Sequence, residues 1–248
     1  LKKSLYLLNI DNYAPEVTAL TYPLIHHYAK KIGAEVVMIE ERRYPGWPIT
    51  YEKLQIHRLA QERGGDWHIY IDSDTLINPE TPDWTNFLPR DTVMHNGYDM
   101  ANIRWRYDYP FWRDGRNVGS CNWNTTASSW CFDLWRPLDD ISMEEALDNI
   151  YPTLDELNCG AMIRRDHLID DYVLSRNIAR FGLKVQTIMA LEKSLGFGND
   201  TGFYWHAYTI PIHDFESRDE KGELVRKEGK VTQMQAVLKK WRVRSSLL

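Results

Sequence analysis

The sequence is short of several things that would each have fixed a function class. It holds three cysteines, Cys121, Cys131 and Cys159, an odd number without a C-x-x-C pair. That pattern argues for free thiols in a reducing, cytoplasmic compartment and against a disulfide framework or a structural zinc site. No basic excess exists: the net charge of -5 leaves little to displace counterions, so no nucleic-acid partner is expected. No apolar run reaches the roughly eighteen residues of a membrane-spanning helix, and the chain opens without a signal-peptide pattern. Internal repeats and low-complexity linkers are missing. Gly196-Phe197-Gly198 lacks the third glycine and the following helix of a dinucleotide fingerprint.

What is present suits a soluble enzyme. At 248 residues the chain can bury a sizeable core, and it reads as one domain with a variable second half. The ten tryptophans suit buried cores and sugar faces alike. The sequons at Asn124 and Asn199 read as chance.

The first seventy-odd residues alternate between strand and helix patterns. Residues 3–10 form an apolar run that ends in polar Asp11-Asn12-Tyr13. Pro15 opens a helix through residue 31, with Pro23 a kink or early stop. Residues 35–39 are a second strand, and residues 41–49 a Pro/Gly loop. Thr50 can cap a helix that carries Leu54, Ile56, Leu59 and Ala60 up to Gly64-Gly65. A third strand, residues 67–71, ends in Asp72-Ser73-Asp74. Such alternation builds parallel strands with helical crossovers, which place ligands beyond the carboxyl ends of the strands. Asp11-Asn12-Tyr13 and Asp72-Ser73-Asp74 are therefore expected on one edge.

Beyond residue 78 the chain turns irregular and aromatic. Strands are expected over 127–134 and 185–190, and helices over 144–150 and 169–181. Residues 209–229 read as a charged loop, and residues 231–244 as a closing basic helix.

Asp72-x-Asp74 carries the sharpest chemistry. Two carboxylates one residue apart in a tight turn can reach a single hard divalent cation, Mg²⁺ or Mn²⁺. That ion can neutralise a pyrophosphate and stabilise its charge as it leaves a sugar.

The stretch from Lys53 to Leu59, followed by Asp66 to Ile77 around Asp72-Ser-Asp74, resembles the helix–strand–DxD segment of GT-A glycosyltransferases. Asp11-Asn12-Tyr13-Ala14 is similar to the nucleotide-binding turn of the glycogenin-like, retaining family. The resemblance covers residues 3–80 and thereafter only islands. It implies an α/β, Rossmann-like GT-A fold in a single domain, with a mixed sheet flanked by helices. Residues 1–80 would bind the nucleotide, and residues 81–248 the donor sugar and acceptor. It also implies a nucleotide-sugar donor, a UDP-sugar, and a glycan or other hydroxyl acceptor.

Residue by residue, the resemblance implies that Asn9, Asp11, Asn12 and Tyr13 hold base and ribose, with Lys53 and Ser73 beside the donor. The third metal ligand of such enzymes is a C-terminal histidine. His206, in the aromatic run from Phe203 to Tyr208, is preferred to His213. The family's H-x-G-x-x-K pattern does not follow, so Lys230 after Gly229 stands in as the phosphate contact. Asp170 and Asp171 open a helix, where the dipole alone favours carboxylates. In GT-A enzymes a residue at a comparable position faces the reacting sugar as base or cation-stabilising contact.

Thr125 to Trp130, with Ser128 and Ser129, resembles the strand that lines the donor sugar. Asn158-Cys159-Gly160 is a weaker candidate for that role. The segment from Arg104 to Arg113 interleaves cations with rings and reads as an acceptor-side lid. Lys239, Lys240, Arg242 and Arg244 allow at most peripheral membrane contact.

A haloacid-dehalogenase-like phosphatase also uses D-x-D after an apolar strand, but wants Gly-Thr after the second Asp and places the motif on its first strand. A nucleotidyltransferase would carry a Gly-rich basic loop where Asp11-Asn12-Tyr13 stands. A non-catalytic carbohydrate-binding protein would leave both acidic pairs idle.

Overall fold

The computed structural model describes residues 1–96, 122–150, 165–196, 202–206, 210–219 and 221–248. Ten strands are described: β1 (Lys3–Leu8), β2 (Ala34–Ile39), β3 (Trp67–Ile71), β4 (Thr75–Ile77), β5 (Thr92–His95), β6 (Trp123–Ala127), β7 (Lys184–Thr187), β8 (Tyr204–His206), β9 (Phe215–Arg218) and β10 (Leu224–Lys227). The α-helices are α1 (Pro15–Ile32), α2 (Ile56–Arg63), α3 (Ser128–Leu134), α4 (Met143–Asp148), α5 (Ile169–Phe181), α6 (Ile188–Ser194) and α7 (Lys230–Lys240). Six strands form one mixed sheet in the order β2-β1-β3-β6-β5-β7. β2, β1 and β3 run parallel, β6 runs antiparallel to its neighbours β3 and β5, and β7 returns parallel to β5.

Period-two alternation decides which side each strand serves. Leu5 and Leu7 of β1, with Trp67, Ile69 and Ile71 of β3, bury against Ile25, Tyr28, Ala29 and Ile32 of α1. Tyr6 and Tyr70, between them in sequence, face the other layer, where Ile56 and Ala60 of α2, Cys131 and Leu134 of α3 and Tyr172 and Val173 of α5 pack. Central strands covered on both faces read as nearly continuous apolar runs, which is why β1 and β3 were visible in the sequence.

α1 buries Val17, Thr21, Leu24, Ile25, Tyr28 and Ile32 at helical spacing. It runs through Pro23 instead of stopping there. It ends at Gly33, whose left-handed backbone (φ 69°) turns its N–H back to the carbonyls of Ala29 and Lys30. A third cluster, of Val17, Leu24, Leu76, Met234 and Leu238, seats α7 on α1 and β4.

Four local expectations need correction. The strand placed over 127–134 lies four residues earlier, and residues 128–134 are helical, with Cys131 and Leu134 buried three apart. Residues 185–190 divide between β7 and α6, because the Thr187 side chain accepts from the Ala190 N–H and caps a new helix. Thr50 caps nothing; a 3-10 helix, Ile49–Gln55, leads into α2. The charged stretch 209–229 contains the β9–β10 hairpin, whose turn is closed by the Asp219 carboxylate accepting from the N–H groups of Lys221 and Glu223. The 104–113 and 158–160 segments lie outside the described residues, as do Cys121 and Cys159. Cys131 is a buried free thiol. Among the described residues no helix is long and apolar enough to cross a membrane.

Candidate active site

Because β1, β2 and β3 are parallel, their carboxyl ends open on one edge, and Asn9 to Tyr13 and Asp72 to Asp74 share it, as their spacing required. The turn after β3 is held from several sides. The Asp72 N–H donates to the Asn122 carbonyl (2.8 Å), and the Thr75 N–H to the Asp72 carbonyl (3.0 Å). The Ser73 carbonyl accepts from the Thr21 hydroxyl at 2.6 Å. The Ser73 hydroxyl donates to the Leu8 carbonyl. Ser73 thus fixes the turn against β1 and α1.

The turn leads directly into β4, which pairs antiparallel with β8, Thr75 opposite His206. This register carries the imidazole to the carboxylates. His206 Nε2 lies 3.0 Å from Asp74 Oδ1 and 3.7 Å from Asp72 Oδ2. One ligand atom from each of Asp72, Asp74 and His206 falls within 4.8 Å of the others. Two carboxylate oxygens and one imidazole nitrogen form a donor set that fits a hard or borderline divalent cation. Asn122 Nδ2 sits 3.1 Å from His206 Nδ1. As placed, Nδ2 donates to Nδ1; with Nε2 on a cation the ring would carry its proton on Nδ1, and the Asn122 amide would turn over to accept it through Oδ1. His213, the other candidate, is exposed and lies 4.0 Å from Glu16.

Two lysines complete the charge pattern. Lys53, from the 3-10 turn before α2, places Nζ 2.9 Å from Asp72 Oδ1 and 2.5 Å from Asp170 Oδ2, over the Tyr70 ring. Lys230, at the start of α7, places Nζ 2.5 Å from Asp74 Oδ2 and 3.4 Å from the Tyr13 hydroxyl. Its position depends on Gly229. A Cβ there would sit 2.2 Å from the His213 carbonyl carbon, so only glycine lets the two backbone segments approach.

The environment drives the two carboxyls apart. Burial raises that of Asp72, reinforced by the neighbouring Asp74 charge, and Lys53 offsets it only in part. Burial works the same way on Asp74, but His206 and Lys230 outweigh it and hold that carboxyl well below the usual range. For Lys230, burial favours the neutral amine, yet Asp74 overrides it and raises the ammonium's pKa.

Asp170 and Asp171 open α5, and both are buried. Asp170 meets Lys53 through one oxygen and leaves Oδ1 buried with no hydrogen-bond partner among the described residues. Asn9 lies at the end of β1 with its N–H on the Ile39 carbonyl and its Oδ1 likewise unpartnered. Asp11 and Asn12 are exposed, in left-handed backbone conformations at φ 55° and 52°.

The serines expected beside the donor sugar are elsewhere. Since β6 runs antiparallel to β3, with Trp67 opposite Ala127, Ser128 and Ser129 emerge at the amino end of β3, across the sheet from Asp72. Ser128 Oγ donates to the Gly65 carbonyl (2.6 Å) and sits 3.0 Å from His68 Nε2. Two contributors escaped the sequence. The Tyr70 hydroxyl donates to Asp72 Oδ1 at 2.5 Å; its place two residues before Asp72, on one strand face, was the available signal. Asn122 offered none, since its role exists only once β6 pairs with β3.

No protein-family model matches the chain, and no curated protein matches it. Among solved structures it is similar to a glycosyltransferase involved in the glycosylation of the major capsid of PBCV-1, with a TM-score of 0.44 and 10% identity, covering 94% of this chain and 99% of that chain.

Proposed function

We propose that this chain is a metal-dependent glycosyltransferase of the GT-A type. It transfers a sugar from a nucleotide-sugar donor, a UDP-sugar, to a hydroxyl of a glycan or other acceptor, with retention of anomeric configuration. The observation that carries this reading is the Asp72–Asp74–His206 group at the carboxyl edge of the parallel strands, joined through Lys230 to Tyr13 of the strand-one turn.

In this reading Asp72, Asp74 and His206 hold Mn²⁺ or Mg²⁺. When bound, the ion neutralises the diphosphate and stabilises its charge as it leaves the sugar. Asn9, Asp11, Asn12 and Tyr13 hold base and ribose. Lys230 contacts a phosphate oxygen, as a compact cation suits. Asp170 Oδ1, unpartnered among the described residues, accepts from a hydroxyl of the donor sugar, and Lys53 holds that carboxylate in place by its ion pair. Asp171 lies beside it. Preorganised charges of this kind act without reorganising at the moment of reaction.

The test is calorimetric titration with UDP, GDP and CMP in the presence of Mn²⁺ and then of EDTA. Metal-dependent binding of UDP that disappears in Asp74→Ala supports the assignment. No binding of any nucleotide, with or without metal, would refute it and turn attention to phosphatase and glycan-binding assays.

A further inference from the structure

Both carboxylates of the D-x-D turn already carry a cation of the protein's own. Lys53 Nζ lies 2.9 Å from Asp72 Oδ1, and Lys230 Nζ 2.5 Å from Asp74 Oδ2. The second oxygen of each carboxylate faces His206, at 3.7 and 3.0 Å. Both lysine side chains are buried, only 7% and 6% exposed, so water screens these pairs poorly. Lys230 offsets Asp74 one for one, whereas Lys53 is shared between Asp72 and Asp170, so three carboxylates face two ammonium groups. An incoming divalent cation therefore meets carboxylates already engaged in ion pairs, and two like charges at ion-pair distance from the oxygens it must bind.

We infer that Lys53 and Lys230 are resident counterions that make the divalent cation and the nucleoside diphosphate bind as a pair, each only weakly alone. The inference rests on the nucleotide-sugar reading above and deepens it. A diphosphate adds anionic charge beside both lysines, and offers Lys230 oxygens to exchange for Asp74. The two lysines are unequal in this exchange. Lys53 is pinned between Asp72 and Asp170, so it stays. Among the described residues Lys230 has Asp74 as its single charged contact, with the Tyr13 hydroxyl at the longer 3.4 Å, so it is the group that moves. Its contact with Tyr13 places it between the metal ligands and the turn assigned to the nucleotide. Coupling between two ligands is reciprocal, so metal must tighten nucleotide to the same extent that nucleotide tightens metal.

The experiment follows the electron paramagnetic resonance signal of free Mn²⁺ as protein is added, with and without saturating UDP, after subtraction of the Mn²⁺–UDP complex formed in buffer. The wild type is expected to bind Mn²⁺ at least about tenfold more tightly with UDP, a coupling of ordinary allosteric size. Lys230→Met is expected to bind Mn²⁺ alone at least about tenfold more tightly than the wild type does, with the UDP enhancement reduced accordingly. Lys230→Gln serves the same comparison if the methionine variant does not fold, and the wild-type pair of titrations needs no variant. Equal Mn²⁺ affinity with and without UDP, or an unchanged affinity for Mn²⁺ alone in a folded Lys230 variant, would overturn the counterion role while leaving UDP binding intact. Absence of UDP binding at every Mn²⁺ concentration would instead overturn the glycosyltransferase reading, and this inference with it.

Discussion

Thr75 and His206 face each other across the β4–β8 pair, and this one register delivers an imidazole from the C-terminal part of the chain to a carboxylate turn from the N-terminal part. The ring's orientation then falls to Asn122, 3.1 Å from Nδ1. Groups that orient a ligating histidine commonly account for about ten- to a hundredfold in metal affinity. Asn122→Ala is therefore expected to weaken Mn²⁺ binding in the presence of UDP by that factor, with little loss of thermal stability. Unchanged Mn²⁺ affinity in a titration would remove Asn122 from this role.

Lys53 pairs with two buried carboxylates at once. Lys53→Met strands both, and uncompensated buried charge costs about 3–5 kcal/mol. Adding Asp170→Asn removes one of the stranded charges, so the double variant should be more stable than Lys53→Met alone. A urea double-mutant cycle measures this, and strict additivity of the two substitutions would argue that the pair is not coupled.

Gly229→Ala drives a methyl group into the His213 backbone. Overpacking of this kind costs about 1–3 kcal/mol, and relief requires the start of α7 to shift, taking Lys230 with it. A lowered unfolding midpoint together with weakened UDP binding is expected; a neutral result in both would show that the close approach is dispensable.

Acid should destabilise the fold through two buried histidines. Burial lowers His95 and His68 from 6.5 to about 4 each. Below pH 6.5 the unfolded chain takes up protons that the native core refuses, so stability falls as the pH drops towards 4. Each histidine contributes a slope near 1.4 kcal/mol per pH unit. His95→Gln removes one of the two slopes. Urea midpoints between pH 7 and 4.5 report it, and an unaltered pH dependence in the variant would exclude His95 as a contributor. Asp74, held low by its partners, adds its own loss only at more acid pH.

Legibility in the sequence followed the range of the forces involved. β3 and α5 occupy the residues their patterns predicted, 67–71 and 169–181, because alternation and helical periodicity are local. The carboxyl-edge placement of Asp72 and Asp74 followed from strand order. β6 was misplaced because Asn124, Thr125 and Thr126 are buried yet polar, while the apolar residues after them belong to α3. Ser128 and Ser129 went astray with that strand. Lys53 and Lys230 were named for a donor they would touch; their ion pairs with Asp72 and Asp74 depend on tertiary contacts across 19 and 156 positions, which no local pattern records.

The distance in sequence between Asp74 and His206, 132 positions, also bears on how the chain is made. Synthesis releases the acidic turn from the ribosome well before β8 and α7 exist, so the nascent N-terminal half must shelter neighbouring carboxylates without His206 or Lys230 to offset them. Lys53 is the counter-charge already present at that stage. Residues 206–248 therefore bring more than a ligand and a phosphate contact: their docking completes the electrostatics of an edge laid down much earlier in translation.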